Sequence, residues 1–123
     1  MLKFTDNKDG TITDNETGLM WQQEEPGTMT WANALSYCND LSLGGQSDWR
    51  LPNVEELISI VDYTKYDPAI DTIYFLNTYA SFYWSSTTNA KDTYLAWYVY
   101  FYDGYINYHR KSNNNYVRCV RDA

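Results

Sequence analysis

Residues 47–57 read Ser47-Asp48-Trp49-Arg50-Leu51-Pro52-Asn53-Val54-Glu55-Glu56-Leu57. The proline and asparagine, followed by Glu56, spell a helix start: the Asn53 side chain can accept from the amide of residue 56 while the Glu56 carboxylate reaches back. Leu57, Ile58, Ile60 and Val61 then supply its inward face. Upstream, Trp31, Ala34, Leu35, Cys38 and Leu41 recur at helical spacing and draw an apolar stripe along a first helix, which Thr30 caps and Gly44-Gly45 stops. On either side of the helices the period falls to two. Leu2 and Phe4 lead to an Asp9-Gly10 turn, Thr11-Ile12-Thr13 returns, and Glu16-Thr17-Gly18 turns again before Leu19-Met20-Trp21. Pro68 closes off a loop, and Ile70 to Tyr74 fits neither period. After Ala80 come Phe82-Tyr83-Trp84, Ala96 to Phe101, Tyr105 to Tyr108 and Tyr116 to Val120, with Asp103-Gly104 as a hairpin turn. Strands, then two helices, then strands is the order of an α+β domain rather than of alternating βαβ units.

The 123 residues make one domain, 1–123, and 44% hydrophobic against 20% charged residues is the balance of a folded chain. No apolar stretch approaches the ~20 residues that span a bilayer, so no direct membrane insertion is expected. Met1 to Asp6 lacks the basic start and apolar run of a signal peptide, so an export leader would have to come from elsewhere. The net charge of −7 is uneven: residues 1–71 hold 13 acidic and 4 basic side chains, residues 72–123 hold 3 and 5. Only Arg110-Lys111 and the pair Arg118 and Arg121 approach a basic cluster, which argues against nucleic acid as a partner. One His and two Cys cannot furnish most zinc sites.

The informative stretch is 92–116, which holds seven Tyr and four Asn. Alternation along Ala96 to Phe101 puts Trp97, Val99 and Phe101 on a core face and Tyr98, Tyr100 and, continuing, Tyr102 on the other as a row of phenols. Tyr with Asn and Ser is the composition of an antibody paratope: rigid amphipathic area at small entropic cost, with adaptable hydrogen bonds around it. The candidate ligand-binding residues are Tyr100, Tyr102, Tyr105, Asn107, Tyr108, His109, Asn113 and Asn114, with Tyr94 and Asp92 from the preceding loop. Trp21, Trp31, Trp49, Trp84 and Trp97 are read as core.

Asp9 to Asp14 with Thr17 to Trp21, then Ser47 to Leu57, then Tyr83-Trp84-Ser85-Ser86-Thr87-Thr88, and finally Val117-Arg118-Cys119-Val120-Arg121 resemble, in order, the domain named after the C-terminal region of Legionella collagen-like protein. The resemblance implies a C-type-lectin-like fold, two helices packed on a twisted antiparallel sheet with long loops, related to the formylglycine-generating enzyme domain. That fold commonly joins its first helix to its last strand by a disulfide, which implies Cys38–Cys119. Formylglycine-generating enzymes need a copper-binding cysteine pair, and with both cysteines placed as structural residues that activity is not carried over. Nor does a nucleophile–base pair stand out, because His109 is the one histidine and no Gly-x-Ser-x-Gly elbow is present. Glu24-Glu25 are adjacent side chains that point apart, and Glu55-Glu56 are explained by the helix start. The chain is therefore expected to be a binding module rather than an enzyme, without cofactor.

Asp6, Asn7, Asp9 and Asp14 crowd one hairpin and calcium favours oxygen ligands, but the Glu-Pro-Asn and Trp-Asn-Asp motifs of sugar-binding C-type lectins are missing, so no metal is expected. C-type-lectin-like domains are also the display scaffold of diversity-generating retroelements, which mutate adenines in a C-terminal repeat and turn Asn codons into Tyr, His, Asp, Ser, Thr or Ile. The Tyr excess of 92–116 and the anchors Trp97, Val99, Phe101, Gly104 and Val117 to Arg121 fit such a variable region. The expected ligand is a protein or cell-surface component, with a glycan as the other class, and the expected location is a cell surface, the secreted space or a virion. A purely adhesive or structural role is the rival reading, and it would bring a carrier segment and trimerisation.

Overall fold

The computed structural model describes residues 2–123. It opens with an antiparallel meander of β1 (Phe4–Asp6), β2 (Thr11–Asp14) and β3 (Leu19–Gln22). β4 (Thr28–Met29) leads into α1 (Trp31–Asp40), where the Thr30 hydroxyl accepts from Asn33 N–H as expected. α1 ends before the glycines: Leu41 is already extended with its N–H on the Cys38 carbonyl, and Gly44-Gly45 instead form the turn between Leu43 and Gln46. α2 (Val54–Ile58) carries both halves of the capping box, Glu56 N–H to Asn53 Oδ1 at 2.8 Å and Asn53 N–H to Glu56 Oε1 at 3.0 Å.

The second half consists of β5 (Phe82–Thr88), β6 (Leu95–Tyr100), β7 (Tyr105–Arg110), β8 (Asn115–Tyr116) and β9 (Val120–Asp122). The strands form two sheets where one was expected, ordered β1-β2-β3-β9 and β4-β8-β5-β6-β7. All pairings are antiparallel except the short contact of Tyr83 with Tyr116. The strand expected over Tyr116 to Val120 is broken for the same reason. Residues 117–119 carry the chain from one sheet to the other, so β8 and β9 belong to different sheets although the apolar pattern runs through both.

Two cores result. Ile12, Trp21, Leu57, Ile60, Phe75, Tyr83, Val99 and Phe101 fill the first, which α2 closes. Ala34, Cys38, Trp49, Leu51, Trp84, Ala96, Val117 and Cys119 fill the second beneath α1. The expected Cys38–Cys119 pair is bonded there, tying the helix to the 117–119 crossing. Trp21, Trp49 and Trp84 are core residues, but Trp31 and Trp97 are only half-buried. Trp31 lies at the rim of α1, its indole N–H on the Ser85 carbonyl and the Lys111 ammonium 3.9 Å over its ring. Trp97 stands on a sheet face where the edge of Tyr108 meets it at 5.4 Å.

A buried cation sits where the chain crosses between the sheets. Arg118 is fully buried, donating to the Gln22 and Gln23 carbonyls and to Thr78 Oγ1, with its guanidinium 5.1 Å from the Phe75 ring. Burial works against that charge and pushes the neighbouring Tyr83 phenol up to about 12, so Tyr83 stays protonated and serves as a neutral wall. Among the described residues no helix is long and apolar enough to cross a membrane.

Candidate ligand-binding face

The β6–β7 hairpin sets the geometry. Its register runs unbroken from Leu95↔Arg110 to Tyr100↔Tyr105, so alternation assigns each side chain to a face. Ala96, Tyr98 and Tyr100 share one face with Tyr105, Asn107 and His109, and with Phe82 and Trp84 of β5. Trp97 and Val99 share the other with Ile106 and Tyr108.

The expected row of phenols is therefore shorter than the alternation suggested. Tyr98 is only 7% exposed because β6 is an interior strand and the Phe82 ring stacks over it at 4.2 Å. Burial raises its phenol pKa, and the Tyr105 and Tyr100 phenols beside it push the same way. Tyr98 is the floor of the face rather than part of its surface. Above it the aromatic rings form a chain: Phe82 to Tyr100 at 4.8 Å edge-on, Tyr100 to Tyr102 at 5.7 Å stacked, and Tyr102 to Tyr66 at 6.3 Å edge-on. His109 closes the other end, 5.8 Å from both Phe82 and Tyr98.

Tyr66 has no signal in its own neighbourhood of sequence; only the three-dimensional fold brings it to this face. The loop that carries it is stitched to the hairpin turn by Asp67 N–H on the Tyr102 carbonyl and Ala69 N–H on the Phe101 carbonyl, both 2.7 Å. Gly104 makes the approach close enough, since a Cβ there would sit 2.6 Å from Tyr63 Cε1 and 2.7 Å from Val61 Cγ1 at a φ of +87°. Tyr66 is 73% and Tyr105 58% exposed, whereas Tyr100 is half-buried, so the face has a fixed centre and open ends.

The sequence-derived site residues do not all meet. Tyr100, Tyr102, Tyr105, Asn107 and His109 come together and gain Tyr66. Tyr108 points from the opposite face, because it is one residue out of phase along the edge strand. Tyr94 lies at the far end of the ladder, where its carbonyl accepts Lys111 N–H, about 20 Å of strand away from Tyr100. Asp92 is in the loop before it, its N–H held by Asn89 Oδ1 and its carbonyl taken by Leu95 N–H. Asn113 and Asn114 follow β7 at that same far end, with Asn113 N–H on the Arg110 carbonyl. Asn115, which the composition groups with them, is buried with Oδ1 at 3.4 Å from His109 Nδ1.

Each acidic hairpin residue caps a turn with one carboxylate oxygen, and the buried Asp14 Oδ2 has no hydrogen-bond partner among the described residues. Asp6 Oδ1 accepts Lys8 N–H, Asp9 Oδ1 accepts the Thr11 amide and hydroxyl, and Asp14 Oδ1 accepts the Glu16 and Thr17 amides. Asn7 turns its amide donors to Thr11 and Thr13. The aromatic face, by contrast, offers what a recognition surface uses: flat apolar rings for stacking, and phenol and amide groups at their rims for hydrogen bonds.

Residues 10–121 match the family model described as the Lcl C-terminal domain. No curated protein matches the chain.

Proposed function

The chain belongs to the Lcl C-terminal domain family, and on that premise we propose that it is a non-catalytic binding module whose aromatic face, centred on Tyr100 and Tyr102 and flanked by Tyr66, Tyr105, Asn107 and His109, takes a protein or cell-surface ligand. The observation that carries this reading is the combination of open tyrosines with a pinned backbone. The same hairpin that presents them is paired residue for residue to β6, backed by the Tyr98–Phe82 stack and stitched to the Tyr66 loop. Rigid, amphipathic rings on an immobile support bind with little ordering cost.

The scaffold is taken to be C-type-lectin-like, and the face to be one that a diversity-generating retroelement varies. The sheet supports this second step in one respect: of the residues whose codons fit adenine mutagenesis, Tyr102 and Tyr105 are exposed and Tyr100, Asn107 and His109 half-exposed, with Tyr98 buried as the floor, while Val99, Phe101 and Gly104 beside them are buried. Display on a surface, with presentation to partners outside the cell or virion, follows from the same reading.

Randomising Tyr66, Tyr100, Tyr102, Tyr105 and Asn107 in a displayed library, and selecting on an unrelated protein such as lysozyme, tests the face directly. Folded binders that lose affinity when the selected residues revert to Ser are expected. A library that yields mostly unfolded variants, or binders whose contacts lie elsewhere, overturns the assignment. In the source DNA, a repeat matching the codons of 92–121 except at adenines, beside a reverse transcriptase gene, is the expected arrangement; a locus lacking both removes the diversification step and leaves the binding face.

A further inference from the structure

β7 is the open edge of the larger sheet. Lys111 N–H bonds the Tyr94 carbonyl, which fixes the phase of the antiparallel ladder: Ala96–His109, Tyr98–Asn107 and Tyr100–Tyr105 are the bonded pairs, and Ile106, Tyr108 and Arg110 turn their N–H and C=O groups outward. Of these, Arg110 gives its carbonyl to Asn113 N–H and Tyr108 N–H is covered by the side chain of Asn107, Oδ1 at 2.8 Å. The Ile106 N–H and C=O and the Tyr108 C=O have no hydrogen-bond partner among the described residues. Protein edges are ordinarily blunted by shortness, a bulge, a proline or a lysine. This one is six residues long, in continuous register, and exposes Tyr105, Ile106 and Tyr108.

We infer that β7 pairs with β7 of a second copy of this chain, antiparallel about a two-fold axis through Asn107. In that register Ile106 of one copy faces Tyr108 of the other, and the outward amide groups of both residues are satisfied reciprocally. Sliding the strands by a residue pair puts Tyr108 opposite itself and asks the Arg110 carbonyl, already bonded, to accept again. The chosen register also brings Arg110 of each copy, exposed at the end of β7, next to Asp103 of the other, which gives a charge match that the slid register lacks. Asn107 has a defined part: the partner's Ile106 carbonyl replaces its Oδ1 at Tyr108 N–H, and the two freed amides meet across the axis. The product is one continuous sheet of both copies, five strands from each, with the two aromatic faces side by side. A strand edge of about 20 Å buries less than the roughly 800 Å² per partner of a standard interface, so the dimer is a weak one, in the micromolar range or above.

Sedimentation equilibrium of the full chain from about 10 to 500 μM tests this, with the mass expected to climb from 14.4 kDa toward twice that value. Tyr108→Pro deletes an N–H that the internal ladder does not use and should raise the dimer Kd about tenfold or more. Ile106→Lys changes only an exposed side chain, should do the same by charge repulsion across the axis, and carries the test if the proline variant does not fold. Amide exchange gives an independent readout, because Ile106 N–H should exchange freely in dilute solution and slow with concentration. A chain that stays monomeric over the whole range, a trimer, or a dimer whose Kd is unmoved by a folded Ile106→Lys variant overturns the inference.

Discussion

Replacing Tyr98 by Ser tests whether the recognition face has the floor described above. A tyrosine side chain buries about 150–250 Å², and at about 25 cal/mol per Å² its transfer from water contributes about 4–6 kcal/mol. With 7% of Tyr98 left exposed almost all of that applies. Compactness of the unfolded chain reduces the figure by a few tenths of its value, while the lost ring stack on Phe82 adds about 1 kcal/mol, so the expected cost is about 4 kcal/mol. Tyr105→Ser, one bonded pair farther along the same face but on the edge strand, should cost less than about 0.5 kcal/mol. Paired urea melts with equal m-values read the difference. Tyr98→Ser costing under about 1 kcal/mol, or Tyr105→Ser costing more than Tyr98→Ser, would mean that the face is inverted and that the open tyrosines are the core.

Trp49→Ala, which empties a 2%-exposed position and removes one of the two donors on the Leu43 carbonyl, the indole N–H at 3.2 Å, should cost about 3–5 kcal/mol in the same melts. Replacing Cys38 and Cys119 together by Ala opens a loop spanning 81 residues and should lower stability by about 4 kcal/mol in the chain-entropy account; equal melting of oxidised and reduced protein would contradict it. Burial works to raise the Glu56 carboxyl, but the Arg50 fork at 2.6 and 2.8 Å and the Asn53 amide outweigh it and hold the group below its ordinary value. Its stabilising contribution is thus complete above the unfolded carboxylate pKa and is lost as pH falls through the lower folded one, so the acid limb of a stability–pH curve should flatten in Glu56→Gln. Gly104→Ala should loosen the Tyr66 loop as well as strain the turn, seen as faster amide exchange at Asp67 and Ala69; unchanged exchange would separate the loop from the hairpin.

Local chemistry was the legible part. The Asn53–Glu56 box, the Thr30 cap and the Asp-Gly turns each resolve within a few residues, and the chain folds there as its spacing implies. Long-range geometry was not legible. The apolar residues 116–120 give no sign that the chain changes sheets at Arg118, because a crossing filled by buried Val117 and Cys119 looks like a strand. Alternation gave β6 its two faces correctly but could not say that Phe82, from another strand, covers Tyr98, nor that Trp97 lacks equivalent cover. For the same reason composition groups Tyr108 with Tyr105: in an edge strand both faces are wet, and composition does not distinguish them. Tyr66 reaches the site through backbone bonds from residues 67 and 69, a contact that no local window contains.

The pairing of β3 with β9 joins residues 19–21 to residues 120–122, so the first sheet is unfinished until residues 120–122 have been made. During synthesis the meander of β1 to β3 must wait with one edge bare while about a hundred residues follow at ~5–20 per second, roughly five to twenty seconds of exposure. The strand that ends this wait lies just downstream of the tyrosine-rich hairpin. A version of the hairpin that cannot form β6–β7 would leave Cys119 and Val120 badly placed to close the domain, so a defective face and an unsealed fold would arise together. Quality control in the cell could then discard the molecule by its open edge, without ever inspecting the binding surface itself.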